Sequence, residues 1–414
     1  MTRPRRWKLI IGALIALAAT VYGYQSMTPS WETVTTTYGK SDKPYGGGAF
    51  RIRDNDVISL KIAGAEIHYR VVGLDKGYNG AQAVPEEAWA NDVHERLNRT
   101  TVSLLRGTLD GGLTRVFEQR GQTGAWWYSE DWRTLYVSTG WLDYKAPVRK
   151  DVLKPQITKL WRSQDGGKTW AQLNWPELQD IDRLLFVDPM RGYAIGWGPH
   201  VWRTTDGGQS WQEIKVPPQA RNAQQPRKKF EAVDLGPDGT LRVAYYVGQL
   251  GEHDASSVVY RLARDQQDFE LDVVLPQQVV VGLQSSQETT GRYSIYALSR
   301  LGAPRNRADR EDKGHRPGVL SSWVSYPQPR VEQLHTFDDR LSVDGLDVGK
   351  RGVLLVYATD RRRAGASHDY TLSSTDFGKS WRETNDKVIQ GGYFDSETNT
   401  QYGLYAYTLK KRSF

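Results

Sequence analysis

The sequence predicts an all-β chain folded as a single β-propeller of four-stranded blades, seven by length, with six or eight as alternatives. Three observations carry this expectation. The octet SQDGGKTW at 163–170 returns as TTDGGQSW at 204–211 and as STDFGKSW at 374–381. The aspartates stand at Asp165, Asp206 and Asp376, so the second interval is close to four times the first. A spacing of about 42 residues is the mark of one blade per repeat. Around the octets run short segments rich in Val, Ile, Tyr and Thr, such as VISLKIAG, TLYVSTGWL, LRVAYYVG and GVLLVYAT, each bounded by Gly, Asp, Asn or Pro. Such runs read as strands between turns.

Taken from the N-terminus, residues 1–30 read as a secretory signal, either cleaved or kept as a signal anchor. Arg3, Arg5, Arg6 and Lys8 precede an uncharged stretch, residues 9–24, with small residues around Ala16-Leu17-Ala18. A basic flank, a short apolar run and an Ala-x-Ala site match the export pattern. The run is short for a spanning helix, which takes about 20 apolar residues. If it is retained, the basic end stays inside and the remainder of the chain lies outside. Export to the periplasm or cell envelope is therefore expected, with anchorage in the inner membrane through residues 9–24 as one form of it.

Residues 31–49, polar and Gly-rich, read as a linker, and residues 50–414 as the propeller. One amphipathic helix is expected at 84–99, where Pro85 and the acidic Glu86 and Glu87 suit a helix N-terminus. The segment LWRSQDGGKTWAQL aligns with VWRTTDGGQSWQEI, each a strand, a turn and a second strand. The intervening IDRLLFVDPMRGYAIGWGPH supplies two more strands and completes a blade. Weaker echoes of the repeat occur at 107–116 and 234–243.

Composition removes several classes of function. The chain has 55 Lys and Arg against 48 Asp and Glu, a net charge of +7, and no Cys. Four of those positive charges sit before residue 9, so the rest is only mildly basic and no nucleic-acid partner is expected. Without Cys there is no disulfide, no thiol chemistry and no lipoprotein acylation, and an exported chain must stand on its hydrophobic core. The seven His are scattered without metal-ligand spacing, and neither a nucleophile elbow nor a phosphate loop is present. No cofactor and no metal are expected.

Every residue type in the octet has a folding role. Gly167, Gly208 and Gly378 allow positive φ in a turn. Asp165, Asp206 and Asp376 can accept hydrogen bonds from loop N–H groups, as in an Asx-turn. The hydroxyls of Ser163, Thr169, Thr204, Ser210, Ser374 and Ser380 offer local partners. Trp170, Trp211 and Trp381 open the return strand and bury a large ring. A calcium loop would need several acidic or amide ligands and a closing Glu, which the octets lack.

This pattern, Ser/Thr-x-Asp-x-Gly-x-Ser/Thr-Trp, resembles the Asp-box, or BNR repeat, of many bacterial propellers, sortilin-type receptors and sialidases. The longer phrase FVDPMRGYAIGWGPHVWRTTDGGQSW, within 157–212, resembles the BNR proteins related to photosystem II assembly and stability factors. That resemblance implies a non-enzymatic scaffold that binds another protein. The sialidase resemblance implies a different function, a glycoside hydrolase or carbohydrate-binding propeller. Sialidases carry an early Phe/Tyr-Arg-Ile-Pro phrase, and FRIRD at 50–54 approaches it, with Arg51 in the place of the first carboxylate-binding arginine and Arg53 where Pro belongs. No downstream phrase assigns a tyrosine nucleophile or an acid, so no catalytic residue is named.

The aromatic cluster Trp126, Trp127, Tyr128 and Trp132 is a candidate binding surface. Neighbouring residues of a strand face opposite ways, so Trp126 and Trp127 cannot share one core layer. Aromatic rings beside arginine suit a protein partner, and tryptophan faces also stack on sugars. Another protein is the expected partner, with carbohydrate as the alternative and the membrane engaged only through the N-terminal segment.

Overall fold

The structure, a computed structural model, describes residues 32–35, 49–53, 55–63, 100–109, 111–121, 124–142, 156–176, 180–196, 200–217, 230–247, 256–287, 293–301, 317–324, 329–360, 368–385, 390–405 and 408–414. These form 28 strands, β1 to β28, in seven four-stranded antiparallel sheets. The predicted seven-bladed propeller is what the chain adopts. Blade I spans 49–120, II 126–173, III 183–214, IV 232–275, V 278–336 and VI 341–385; blade VII is 390–413 together with 32–35. The predicted helix at 84–99 and the signal at 1–30 lie outside the described residues. Among the described residues no helix is long and apolar enough to cross a membrane.

The innermost strands are β2 (Ala49–Arg53), β6 (Trp126–Tyr128), β10 (Arg183–Asp188), β14 (Ala232–Leu235), β18 (Gln278–Gln287), β22 (Leu341–Val348) and β26 (Gln390–Asp395). Four antiparallel strands return the chain to the end where the blade began, so all seven innermost strands run the same way. Turns between first and second strands, and between third and fourth, therefore gather at one end of the propeller. The phrase 181–200 provides β10 and β11 (Arg191–Ile195) of blade III, as the repeat alignment predicts.

The stretch 31–49 corrects the sequence reading of a continuous linker. Within it β1 (Glu32–Thr35) pairs antiparallel with β28 (Thr408–Ser413), with Glu32 opposite Lys411 and Thr35 opposite Leu409. It is the fourth strand of blade VII, so the first and last described segments close the ring. Four residues are too few to show a period-2 pattern. Their pairing is fixed by the open edge of β28, whose N–H and C=O groups need partners.

The core is divided among the seven blade interfaces, with one hydrophobic cluster in each. Ile58, Val102 and Leu104 of blade I meet Leu135 and Val137 of blade II. Tyr136 and Leu160 meet Phe186 and Trp202 between II and III, and Tyr193 and Val201 meet Leu241 and Leu262 between III and IV. Ala244 and Val259 meet Leu283 and Ile295 between IV and V, while Leu298 and Leu320 meet Leu354 and Val356 between V and VI. Val353 and Leu355 meet Phe394, and Leu409 returns to Phe50 and Val57 to close the ring. Each fully buried aliphatic side chain of this kind contributes about 1.5–3 kcal/mol of burial free energy.

Candidate functional site: the central channel

The innermost strands surround a channel of about 1230 Å³, bordered by residues of all seven blades. Arg51, third residue of β2, stands half-buried on its wall. Its guanidinium lies 4.5 Å from the ring centre of Tyr393 and 5.7 Å from that of Trp126, and Nη1 donates to the carbonyl of Phe50 at 2.8 Å. Among the described residues no carboxylate forms an ion pair with it. Burial raises the pKa of Tyr128 while Arg51 opposes that rise. Burial likewise raises Tyr393, with the charge of Asp395 adding to the shift.

A second group lies across β22. The Tyr357 hydroxyl donates to Asp347 Oδ2 at 2.6 Å, Gln284 Nε2 approaches Asp347 Oδ1 at 3.4 Å, and the Val348 N–H donates to Gln284 Oε1 at 2.6 Å. Burial raises both Asp347 and Tyr357, and the hydrogen bonds from Tyr357 and Gln284 restrain Asp347. Asp347 borders the channel, whereas Tyr357 belongs to the second strand of its blade, β23 (Leu354–Asp360), and sits behind it.

The other channel arginines are engaged elsewhere. Arg53 bonds Glu130 through both its carbonyl and its carboxylate, and Arg183 lies 3.6 Å from Asp182. Arg53 ends β2 and Arg183 begins β10, so they stem from opposite ends of the channel. Arg51, Arg53 and Arg183 therefore do not converge on one point, and the tyrosine–carboxylate pair presents its carboxylate rather than its phenol. Among the described residues no group of three His, Cys, Asp or Glu side chains could hold a metal.

The aromatic cluster divides between two blade interfaces. Trp126, part-buried, packs against the blade I–II cluster and Trp127, also part-buried, against the blade II–III cluster, while Trp132 is 4% exposed. An innermost strand has a neighbouring blade on each face, so the two tryptophans point to different interfaces and both stay part-buried. Trp127, Tyr128 and Trp132 still border the channel. Sequence reasoning did not find Tyr393, Asp347, Tyr357 or Gln284, which carry no local motif.

The octets lie away from the channel, each joining the third and fourth strands of blades II, III and VI. In the first, the Ser163 hydroxyl donates to Asp165 Oδ1 at 2.8 Å and accepts the Gly167 N–H at 2.8 Å. Asp165 accepts the Thr169 N–H at 2.9 Å and the Thr169 hydroxyl at 2.6 Å, and Trp170 Nε1 donates to the Gly167 carbonyl at 3.1 Å. Thr204, Asp206, Gly208, Ser210 and Trp211 repeat the set, as do Ser374, Asp376, Gly378, Ser380 and Trp381. The Thr169 hydroxyl and N–H hold the Asp165 carboxyl down at about 2. The fourth position has φ +75° at Gly166 and +71° at Gly207, and Phe377 adopts +62° there.

Of the two weaker echoes, 107–116 falls at the third-to-fourth turn of blade I but closes as a tight hairpin, with Thr108 opposite Gly112. It has Arg115 where the octets have Trp. The other, 234–243, is a correction: it spans a first-to-second turn, from β14 into β15 (Leu241–Val247), and is not a repeat of the octet.

No family model matches the chain, and no curated protein matches it. Among solved structures it is similar to YCF48 bound to D1 peptide, at 13% identity over 76% of this chain and 88% of that one, TM-score 0.44. It is similar to YCF48 from Cyanidioschyzon merolae at 14% identity over 76% and 92%, TM-score 0.47. It is also similar to a GH74 xyloglucanase from Xanthomonas campestris at 14% identity, covering 75% of this chain and 49% of that one, TM-score 0.47. The chain itself, by its own seven sheets and three stapled octets, is a β-propeller with Asp-box repeats.

Proposed function

We propose that this chain is a non-enzymatic scaffold that binds another protein, exported to the cell envelope and held at the inner membrane by residues 9–24. One observation carries the reading: two of the titratable groups that border the channel, Asp347 and Arg53, are engaged by protein partners. Tyr357 serves Asp347 and Arg53 serves Glu130. Neither of these two pairs presents a nucleophile beside a free base, the arrangement an active site requires. Affinity capture from envelope extract, using the full chain, tests it. A protein retained by the chain and displaced by excess free chain is expected; recovery of no protein under membrane-preserving conditions counts against the reading.

Arg51 favours one alternative, a carbohydrate-binding or sialidase-like propeller, because its half-buried charge faces the channel beside Tyr393 and Trp126. Fluorogenic sialosides separate the two. The scaffold reading expects no turnover, whereas hydrolysis by the native chain that is lost in Arg51→Ala would establish the enzyme.

A further inference from the structure

We infer that the propeller is held with its Asp-box end against the lipid bilayer, leaving the opposite end free for its partner. This rests on the proposed anchor at residues 9–24 and adds an orientation to it.

The direction of β1 is the first support. As the fourth strand of blade VII it runs antiparallel to β28, with Glu32 opposite Lys411 near the end of the chain. Phe414, just beyond β28, donates its N–H to the carbonyl of Asn399 in the turn between the first two strands of that blade. Glu32 therefore lies at the end that gathers these turns and the octets. The chain enters blade VII where blades II, III and VI carry their Asp-boxes.

The span available is short. Residues 25–31 separate the uncharged stretch from β1, and even fully extended they reach only about 25 Å at ~3.5 Å each. An eight-residue strand such as β8 (Gln156–Ser163) is about 27 Å long at ~3.4 Å per residue. A tether of that reach would be used up in passing a blade from end to end, so the bilayer lies on the Asp-box side.

The surface at that end is the second support. Met190 and Phe377, 45% and 40% exposed, stand in its turns, and Val324, 40% exposed, follows a third strand that ends there. Lys168 and Lys379 are exposed at the tips of the first and third octets. Apolar tips with lysines beside them suit the headgroup boundary, where long basic side chains reach toward phosphates. The connections at the opposite end include 64–100 and 302–317, while the longest at the Asp-box end is 324–331. Long connections on a rigid scaffold are where binding surfaces are usually built.

The absence of native Cys permits a direct test. Lys168→Cys and Lys379→Cys place a bimane label at the Asp-box end, and Pro276→Cys and Asp339→Cys place one at the opposite end. Each full chain is reconstituted into vesicles of phosphatidylethanolamine and phosphatidylglycerol that carry a headgroup-nitroxide lipid. Labels at 168 and 379 are expected to lose most of their emission, while those at 276 and 339 keep theirs. Equal quenching at all four sites, or quenching confined to 276 and 339, overturns the orientation while the anchor stands. A chain that washes off the vesicles at alkaline pH, or whose mass lacks residues 9–24, overturns the anchor and the orientation with it.

Discussion

Arg162 of blade II donates through Nη1 to the carbonyl of Gly207, inside the Asp-box of blade III, at 2.7 Å. The relationship recurs around the ring: Arg106 of blade I donates to Gly166 of blade II at 2.8 Å, and Arg203 of blade III donates to Gln266 of blade IV at 2.7 Å. Arg162 and Arg203 each directly precede the first residue of their own octet. Adjacent strand residues face opposite sides, so Ser163 closes its own turn while Arg162 reaches the next blade. Gly207 also accepts the Tyr136 hydroxyl at 2.8 Å. Arg162→Met is expected to destabilise the propeller by about 1.5–3 kcal/mol, the worth of a charged hydrogen bond to a part-buried carbonyl. Urea unfolding of Arg162→Met, Tyr136→Phe and the double variant reads both the cost and the coupling; additive losses would show that the two donors act independently.

Phe377 is the one octet residue at the fourth position that is not glycine. Its ring covers Gly352, where an added Cβ would come within 2.6–2.8 Å of ring atoms, and Gly352 itself has φ +81°. Gly352→Ala is expected to cost more than the ~1 kcal/mol typical of an alanine forced to positive φ. Phe377→Gly in the same chain should recover the steric part and leave the backbone part. Thermal melts of the two single variants and the double variant measure this, and equal losses with and without Phe377 would contradict the contact.

The Asp165 carboxyl, held at about 2 chiefly by the Thr169 hydroxyl and N–H, lies below the 3.8 of an unperturbed aspartate. Its contribution to stability is therefore complete above pH 4 and lost as pH falls toward 2. Asp165→Asn should flatten the decline in stability over that window. Denaturant midpoints across pH 2–5 decide it, and an unchanged slope would count against the staple.

Asp234 behaves in the opposite sense. Burial pushes it up to about 6, against the pull of Ser285 and Arg242, and Arg242 also lies 3.4 Å from Asp272, which accepts Trp323 Nε1 from blade V at 3.2 Å. A raised folded pKa means that the protonated carboxyl is the form folding favours. This stabilisation is full below about pH 4 and is lost as pH rises through 6. Asp234→Asn should remove that slope between pH 4 and 6, as read by urea unfolding at each pH.

The sequence by itself determined the repeating unit. The octet's hydroxyls, aspartate, glycine and tryptophan interact within eight residues, so their chemistry is local and legible, and their spacing conveys the blade period. Tertiary structure alone decided how the ring closes and what borders its centre. β1 and β28 meet from opposite ends of the described chain, and Arg51, Trp126 and Tyr393 share one wall although hundreds of residues separate the first from the last. No periodic pattern records such meetings, because they are fixed by the packing of whole blades against one another. The same packing explains Trp126 and Trp127. Strand alternation correctly separates their directions, but only the presence of a blade on each side gives each ring its own hydrophobic cluster to pack against.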